Sequence, residues 1–429
     1  MLVNRLIILG FALLTTLVWP QKLSRLDRGR AEDMLHVVGS EIRKHYYDPT
    51  LHEVDWDAAI AVAERKIREA KSFNMAMSHI AAMVDELGDS HTYFVPPLHS
   101  YRYDLGFHYQ IIGQRCFVTR VHGSTDAYAK GVTSGDEILA IDGVVPDRNN
   151  LWKLNYVHTV LRPDTSLRLT LQGPPVSLPR DIEVAAIIEP LARTIDLTQP
   201  WGLLEWRQFV IAHETDYVVP QIVDYSESLM ILKLPSFDST QSEIGEIIKK
   251  ARKHKALIID LRGNPGGSVE ILQLLVSNMF DHDVKIGDRV GRKEVSPLVA
   301  KGSSHPFMGQ LVVLVDSESA SAAELFARIV QIEKRGIVMG DQTSGAVMQA
   351  RYYSERSGTE TAIFYGVSIT DADIIMSDGK SLERVGVTPD ELLLPSAYAL
   401  FHERDPVLAR AAESVGVTIR PDEAGKLFP

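Results

Sequence analysis

The chain has 429 residues, of which 24% are charged, and its formal net charge is −11. This length predicts two to four domains, and the ordinary apolar and charged content predicts a globular chain rather than a disordered one. The acidic balance, without a basic stripe of interleaved aromatic residues, argues against nucleic acid as a partner. The single cysteine, Cys116, excludes a disulfide framework and a cysteine-rich metal site, and its apolar neighbours predict a buried structural thiol.

The first predicted element is an apolar segment from Leu6 to Trp19, which Pro20 ends. Its length suits the core of a signal peptide better than a membrane span of about 20 residues. No cleavage site made of small residues follows it. Basic residues come after it, so the positive-inside rule gives no clear orientation for an anchor at this position. A buried N-terminal helix is the third interpretation. We expect residues 1–24 to be a signal peptide or membrane anchor, with residues 6–19 as the anchoring part, and the protein to be extracytoplasmic, in a bacterial periplasm or cell envelope.

The apolar spacing over residues 28–100 predicts a small helical domain. Asp55 suits the N-terminal cap of one helix, whose apolar positions repeat at helical spacing from Ala59 to Ile67. A second helix is predicted from Asn74 to Leu87, and the polar loop 88–92 follows it. We interpret both apolar stripes as core.

The pattern changes to short strands with turn signals over residues 101–175, and residues 176–225 form a polar, proline-marked connecting segment. Over residues 226–396, buried-type strands alternate with amphipathic helices, which indicates βαβ units covering a mostly parallel sheet. The predicted strands are 229–234, 256–260, 311–315 and 336–340, and the predicted helices are 242–253, 268–279 and 321–333. Residues 397–429 predict a C-terminal helical tail. The predicted fold class is therefore α/β with several domains.

The most informative stretch joins the strand 311–315 to the next helix through a turn of small residues. A serine at such a junction lies beside backbone N–H groups and the positive end of a helix dipole. That environment suits a hydroxyl that attacks a carbonyl and an oxyanion that must then be stabilised. Ser319 and Ser321 are both candidates, and helix capping is the simpler interpretation of either.

A second loop, residues 262–267, follows the strand 256–260 and is rich in glycine. Its glycines leave N–H groups unobstructed beside the start of a helix, which suits an anion or an oxyanion. The spacing of a phosphate loop with its lysine is missing, so the loop does not indicate nucleotide binding. The sequence also has no zinc pattern of two histidines one helical turn apart. Neither a metal nor an organic cofactor is predicted.

Residues 104–173 resemble a PDZ domain in the order of their strands and in their local motifs. Leu105, Gly106 and Phe107 match the carboxylate-binding loop of that family. The resemblance implies a groove that takes an extended peptide by strand addition and captures its C-terminal carboxylate with backbone N–H groups. Asp104 stands where a glycine is common, and a carboxylate pointing inward there would repel a ligand carboxylate. A small β domain that serves only for packing is the alternative.

Residues 28–395 as a whole resemble the C-terminal processing (tail-specific) serine peptidase family. Three motifs carry the resemblance, at residues 259–267, 319–324 and 386–390. The order of a helical segment, a PDZ-like unit and an α/β core of ββα and βαβ units, similar to the crotonase fold, also fits.

That resemblance implies Ser321, rather than Ser319, as the nucleophile in the core. It also implies an oxyanion hole made by the backbone N–H groups of Gly266 and Ala322.

Many members of that family pair the serine with a lysine about 25 residues later, but Ala346 stands there and cannot accept a proton. The branch that resembles the tricorn protease core uses histidine instead, and Ser90 and His91 match its Ser-His pair. Glu383 matches the glutamate of its charge network. The resemblance implies His91 as general base and acid, oriented by Ser90 and Glu383. Histidine suits this role because its ordinary pKa is about 6.5.

Other residues remain open alternatives at this site. Asp89 is a second candidate for the acid, or a simple cap of its loop. Lys334 and Lys380 are substitute bases in principle, although their spacing does not favour them. Glu383 alternatively pairs with cations on the surface.

The leading hypothesis is an exported serine endopeptidase that binds unstructured polypeptide C-termini at the PDZ-like unit and cleaves through an acyl-enzyme at Ser321. A second hypothesis is a non-catalytic protein that binds an apolar ligand or a peptide on the same scaffold. A third is an envelope scaffold that uses only the PDZ-like groove.

Overall fold

The computed structural model describes residues 23–99, 101–174, 177–190, 219–358 and 362–428. The predicted apolar segment 6–19 and most of the predicted connecting segment lie outside these ranges. No helix within them is long and apolar enough to cross a membrane.

The N-terminal unit consists of three helices, each begun by a side chain that accepts a backbone N–H. They are α1 (Arg25–His45, capped by Ser24), α2 (Trp56–Glu69, capped by Asp55) and α3 (Phe73–Asp85, capped by Ser72). A short turn, Leu51–Glu53, lies between α1 and α2. The apolar faces of the helices bury Tyr365, Val367 and Ile369 from a strand near the other end of the chain. This unit therefore shares its core with the C-terminal half of the protein.

The middle unit (residues 101–190) is a five-stranded antiparallel sheet with a two-stranded ribbon beside it. After β1 (Tyr93–Val95), its strands are β2 (Tyr101–Asp104), β3 (Phe107–Ile112), β4 (Arg115–Val121), β5 (Glu137–Ile141), β6 (Ser166–Gln172), β7 (Arg180–Ala185) and β8 (Ile187–Pro190). The sheet order is β3-β4-β5-β6-β7, so β3 is an edge strand, and β2 pairs with β8. Its helices are α4 (Asp126–Ala129) and α5 (Leu151–Asn155), which continues as a π-helical turn, Tyr156–Leu161. The strands β7 and β8 extend this unit past residue 175, the boundary predicted from the sequence.

The core unit contains a six-stranded, mostly parallel sheet of order β18-β15-β14-β11-β10-β9. Its strands are β9 (Gln221–Asp224), β10 (Leu229–Lys233), β11 (Ala256–Asp260), β14 (Gln310–Val315), β15 (Ile337–Gly340) and β18 (Glu391–Leu392), of which only β9 pairs antiparallel. The helices α6 (Gln241–Ala251), α7 (Val269–Ser277) and α8 (Ala322–Ile332) share one face of this sheet. The other face is covered by α10 (Pro406–Ser414) and α11 (Pro421–Ala424), chiefly by α10, and the short helix α9 (Ala397–Phe401) precedes them in the chain. Because the central strands are parallel, their carboxyl ends share one edge, where α/β sheets place their sites.

A second, antiparallel sheet stands beside the first. Its strands are β12 (Val284–Gly291), β13 (Val295–Ala300), β16 (Met348–Ser357) and β17 (Ile363–Met376), with β1 added at one edge. The pairing of β1 with β17 joins Tyr93 to Ser368 and so draws the loop after α3 onto the core unit. This connection brings the loop 88–92 beside the second sheet.

Mixed α/β architecture with several units, as predicted from the sequence, is confirmed.

Candidate active site

The two candidate serines of the turn between β14 and α8 differ in their surroundings. The Ser319 side chain is fully buried, and its hydroxyl donates to Leu261 O at 2.8 Å. The Ser321 side chain is partly exposed. Its oxygen faces the Glu324 N–H in a capping box, and no acceptor for its hydroxyl proton is found in the part of the chain that the structure describes. The Ser321 backbone has φ 53° and ψ −117°, a conformation that strains any residue with a Cβ. Ser319 therefore serves as a structural tie, whereas the Ser321 hydroxyl keeps a proton that no described residue accepts.

Glu324 stabilises this strained backbone through hydrogen bonds to its carboxylate. Its carboxylate is fully buried and accepts four hydrogen bonds. The donors are Ser321 N at 3.1 Å, Ala346 N at 3.0 Å, Gly345 N at 2.8 Å and Thr343 Oγ1 at 2.5 Å. Burial raises the pKa of Glu324 to about 7, against the lowering effect of these bonds. The sequence analysis missed this residue, although the spacing of Ser321 and Glu324 is that of a capping box.

The glycine-rich loop after β11 lies directly against the serine turn. A Cβ on Gly266 would lie 2.7 Å from Ser321 Cβ and 3.0 Å from Ala322 N, and the φ of Gly266 is +101°. Only glycine fits there without a shift of the turn. The Gly266 N–H donates to Asn264 Oδ1 at 2.8 Å, whereas no acceptor for the Ala322 N–H is found in the described ranges. Of the two predicted oxyanion-hole donors, Ala322 N–H is thus unoccupied and Gly266 N–H is engaged within its own loop.

The structure brings together Ser90, His91 and Glu383, three residues of the predicted site, with Ser90 between the other two. The Ser90 hydroxyl donates to Glu383 Oε2 at 2.8 Å and lies 2.7 Å from His91 Nδ1. Because that hydroxyl has one proton and gives it to the carboxylate, Nδ1 must be the protonated ring nitrogen and donate to Ser90 Oγ. His91 Nε2 is then left as an acceptor, the state that a general base requires.

Glu383 links the Ser90–His91 pair to the core unit. Its carboxylate also accepts from Ser90 N at 2.9 Å and from Val347 N at 2.9 Å. Burial raises the pKa of Glu383, and the hydrogen bonds from Val347 and Ser90 oppose that rise. Ser321 N donates to Ala346 O at 2.9 Å, so one short segment contacts both the serine turn and the relay.

The imidazole of His91 is held neutral. Burial lowers the pKa of His91 to about 4, and the nearby charge of Asp89 opposes this. Asp89 Oδ1 accepts from His91 N at 2.8 Å, Thr92 N at 2.6 Å and Thr370 Oγ1 at 2.9 Å. Asp89 thus shapes the backbone of the loop, whereas Glu383 is hydrogen-bonded to the Ser90–His91 pair.

One feature separates this arrangement from a fully assembled triad. Within the described residues, no hydrogen bond joins Ser321 Oγ to His91 Nε2. Lys334 and Lys380, the substitute bases considered above, are both exposed. Lys334 follows the C-terminal end of α8, whereas Ser321 lies at its N-terminal end, about 17 Å away along an 11-residue helix.

The predicted peptide-binding loop of the middle unit begins the edge strand β3. Gly106 has φ +75°, and a Cβ there would lie 2.5 Å from Thr125 Cβ. The Gly106 N–H donates to Asp104 Oδ1 at 2.8 Å, so the carboxylate of Asp104 occupies one of the N–H groups of this loop. Leu105 and Phe107 pack with the apolar core of the unit.

The far end of β3 touches the serine turn of the core unit. Ser317 Oγ donates to Ile111 O, and Gln110 Nε2 donates to Asp316 Oδ2 at 3.2 Å. Arg148 forms an ion pair with Asp341 at 2.8 Å beside this contact. The edge strand therefore leads from the loop at residues 105–107 toward Ser321.

One group of three metal-ligand residues occurs in the described ranges, in the middle unit and apart from the serine. Asp142, His158 and Asp164 have ligand atoms within 4.8 Å of one another. His158 Nδ1 lies 2.9 Å from Asp164 Oδ2, and His158 Nε2 lies 3.7 Å from Asp142 Oδ2. These direct contacts between the histidine and the carboxylates account for the grouping without a metal.

Residues 228–393 match the model of peptidase family S41. The chain is 24% identical over 375 residues to a chloroplastic carboxyl-terminal-processing peptidase 3 of Arabidopsis thaliana, covering 81% of this chain and 66% of the relative. It is 24% identical over 408 residues to a putative tricorn protease homolog 2 of Streptomyces coelicolor, covering 87% of this chain and 31% of the relative. The solved structure of mature CPAF has the same fold, with a TM-score of 0.66 at 16% identity, over 88% of this chain and 94% of that one. The chain spans less than two thirds of the length of these curated relatives. The resemblance predicted from the sequence motifs is confirmed.

Proposed function

We propose that this chain, whose residues 228–393 match the model of peptidase family S41, is a serine endopeptidase that cleaves unstructured polypeptides through an acyl-enzyme at Ser321. The observation that carries the proposal is the bridge of Ser90 between His91 and Glu383, with distances of 2.7 and 2.8 Å. It prepares a neutral imidazole whose Nε2 has no partner among the described residues, in the same region as a strained serine whose hydroxyl proton has no acceptor there. A protein that only binds ligands needs neither of the two contacts of Ser90.

In the proposed reaction, His91 Nε2 takes the proton of Ser321 Oγ as the hydroxyl attacks the substrate carbonyl. The imidazolium that forms keeps its Nδ1–H on Ser90, and the charge of Glu383 stabilises it through that hydroxyl. His91 then returns the proton to the leaving amine, and a water molecule hydrolyses the acyl-enzyme by the same steps. Because Ser321 and His91 are not hydrogen-bonded here, their contact has to form when substrate binds.

The oxyanion of the tetrahedral intermediate would be stabilised by the Ala322 N–H at the start of α8, with help from the helix dipole. Gly266 N–H is the second proposed donor, and it has to share or exchange its bond to Asn264 Oδ1 to act. A developing negative charge is a stronger acceptor than an amide oxygen, which favours that exchange.

We further propose that the middle unit acts as a PDZ domain and binds C-terminal segments of its substrates along β3. The position of β3 at the edge of its sheet and the conformation of Gly106 support strand addition there. A peptide antiparallel to β3, with its C-terminus at residues 105–107, runs past Ile111 toward the serine turn. Asp104 has to release the Gly106 N–H if a peptide carboxylate is to take it.

Export remains part of the proposal. The apolar segment 6–19 supports an extracytoplasmic location, in a periplasm or cell envelope, by cleavage or by anchoring.

The alternative is a non-catalytic binding protein for peptides or apolar ligands. Two observations favour it: alanine at position 346, where many relatives have lysine, and the missing hydrogen bond between Ser321 and His91.

Reaction with a fluorophosphonate probe distinguishes the two functions. We expect the native chain to be labelled, and Ser321→Ala and His91→Ala to lose labelling. His305→Ala is the matched control, because His305 Nδ1 also lies 2.9 Å from the hydroxyl of a preceding serine, Ser304, but on the exposed surface. Labelling that survives in Ser321→Ala or His91→Ala contradicts the proposal, and a folded native chain that is never labelled supports the binding protein.

A further inference from the structure

The turn between α1 and α2 has an unusual backbone. Leu51, His52 and Glu53 have φ values of 54°, 53° and 61°, so three successive non-glycine residues are left-handed. Such residues normally occur singly, because their Cβ atoms crowd the following carbonyl. Asp48 stabilises the turn, since its carboxylate accepts from Thr50 N at 2.9 Å, Thr50 Oγ1 at 2.8 Å and His52 N at 2.8 Å. The hydrogen bonds accepted by Asp48 thus hold the strained backbone in place, and strained backbone of this kind is common in functional regions.

This conformation aims the imidazole of His52 at the end of α3. His52 Nδ1 lies 2.8 Å from Leu87 O, and His52 Nε2 lies 2.8 Å from Tyr47 Oη. Because a carbonyl can only accept, Nδ1 carries the proton, and in the neutral ring Nε2 accepts from the Tyr47 hydroxyl. The ring also meets Tyr46 and Tyr47 edge-on, with interplanar angles of 78° and 86°. These contacts define one position for the ring.

Leu87 is where the loop carrying Ser90 and His91 leaves the helix. Its carbonyl lies beyond the last turn of α3 and needs a donor from elsewhere. Along this loop Arg384 Nε donates to Gly88 O at 3.1 Å and Ser90 N donates to Glu383 at 2.9 Å. The core unit therefore holds the middle of the loop, and His52 holds its beginning.

Tyr46 connects the strained turn with the loop that carries Ser90 and His91. Its side chain is fully buried, and its pKa is raised by burial first and then by the charge of Asp89. Asp89 accepts from the backbone N–H groups of His91 and Thr92. The carboxylate that shapes the loop therefore also acts on Tyr46, beside the strained turn.

We propose that His52 is a positioning residue for the reaction proposed above, one that acts from a strained turn by fixing the Leu87 carbonyl and thereby the loop of Ser90 and His91. It does not touch substrate. Relaxation of the turn into an ordinary conformation would move the imidazole away from Leu87 O and free the start of the loop. The inference rests on the proposed function for its kinetic consequence, but its structural part can be measured without activity.

Two substitutions test the hydrogen bond from His52 without adding strain to the turn. His52→Asn keeps a side-chain N–H donor and tolerates positive φ, whereas His52→Gly relieves the strain and removes the donor. His254→Gly is the matched control, because His254 Nδ1 also lies 3.0 Å from a backbone carbonyl, that of Ser226, at the opposite edge of the core sheet. For each full-length variant we would measure melting temperature, hydrogen exchange of the Ser90 amide, and fluorophosphonate labelling over a range of pH.

We expect His52→Gly to melt within a few degrees of the native chain, yet to exchange the Ser90 amide at least tenfold faster. Its maximal labelling rate should fall about tenfold or more with the probe affinity unchanged, and the pH at which labelling is half-maximal should rise as His91 becomes more exposed. His52→Asn and His254→Gly should match the native chain in all of these.

Unchanged exchange and labelling in His52→Gly would overturn the inference, and so would an equal loss in His254→Gly or no rescue by His52→Asn. If the native chain itself is not labelled, the proposed function fails, and the exchange of the Ser90 amide still decides whether His52 positions the loop.

Discussion

Replacement of the buried Glu324 by glutamine should change the pH dependence of stability in a defined direction. The pKa of Glu324 is raised to about 7 from an ordinary value of 4.5, so the folded protein binds this proton more tightly than the unfolded chain does. The contribution is fully present below pH 4.5 and is lost as the pH rises through 7. At 1.36 kcal/mol per pKa unit, this loss amounts to about 3 kcal/mol.

Glutamine cannot titrate, so Glu324→Gln removes this term. Its NH₂ group replaces one oxygen that accepts from Gly345 N and Thr343 Oγ1, or from Ser321 N and Ala346 N, and at least one of these donors is left without an acceptor. That costs about 1–3 kcal/mol. At pH 5 the native chain should therefore be the more stable of the two by this amount. At pH 8 the difference should disappear or reverse.

Urea unfolding of both proteins at pH 5 and pH 8, followed by tryptophan fluorescence, measures this difference. Glu243→Gln is the matched control, because Glu243 closes an exposed capping box with Thr240 at the start of α6. Hydrogen bonds from Thr240 lower the pKa of Glu243, so its contribution is lost as the pH falls, the opposite sign. An equal gap between native and Glu324→Gln proteins at both pH values would refute the reasoning.

Three further predictions concern the rate of fluorophosphonate labelling. Ser90→Ala should lower it about 10²-fold or more, because His91 Nδ1 loses the acceptor that fixes its tautomer; an unchanged rate would remove Ser90 from the relay. Gly266→Ala should abolish labelling, since the new Cβ would lie 2.7 Å from Ser321 Cβ, whereas Gly379→Ala, at φ +83° with open space around it, should label normally and isolates the cost of φ alone. With the pKa of His91 lowered to about 4, the base is neutral above that pH, so labelling should stay constant down to about pH 5 and decline below 4; a decline that begins near 6.5 would show an exposed imidazole.

The sequence was sufficient for the α/β core because its strands and helices alternate in composition. It was not sufficient for the second sheet. Along β16 most side chains are half-buried or exposed, and residues 365–370 of β17 are buried on both faces, so neither stretch shows a regular alternation. Half-buried and buried residues alternate only over residues 371–376 of β17. Both strands are defined by pairing with each other and with distant segments.

The site shows the same division. Local motifs predicted the serine turn, the glycine loop and the Ser90–His91 pair. Ser319 and Ser321 could be distinguished only by how far each side chain is buried, and a sequence pattern does not contain that information. Glu324 carried a capping signal but no sign of its contacts with residues 343–346, and the strain at His52 had no signal in its own residue type.

The bridge between Ser90 and Glu383 spans 293 positions of the chain. Synthesis proceeds from the N-terminus, so the proposed base His91 and the proposed nucleophile Ser321 both exist before the carboxylate of Glu383 has been made. A chain still being translated, or one cut short before residue 383, therefore lacks the group that accepts the proton of the Ser90 hydroxyl. The order of the sequence thus delays assembly of the proposed relay until residue 383 has been synthesised.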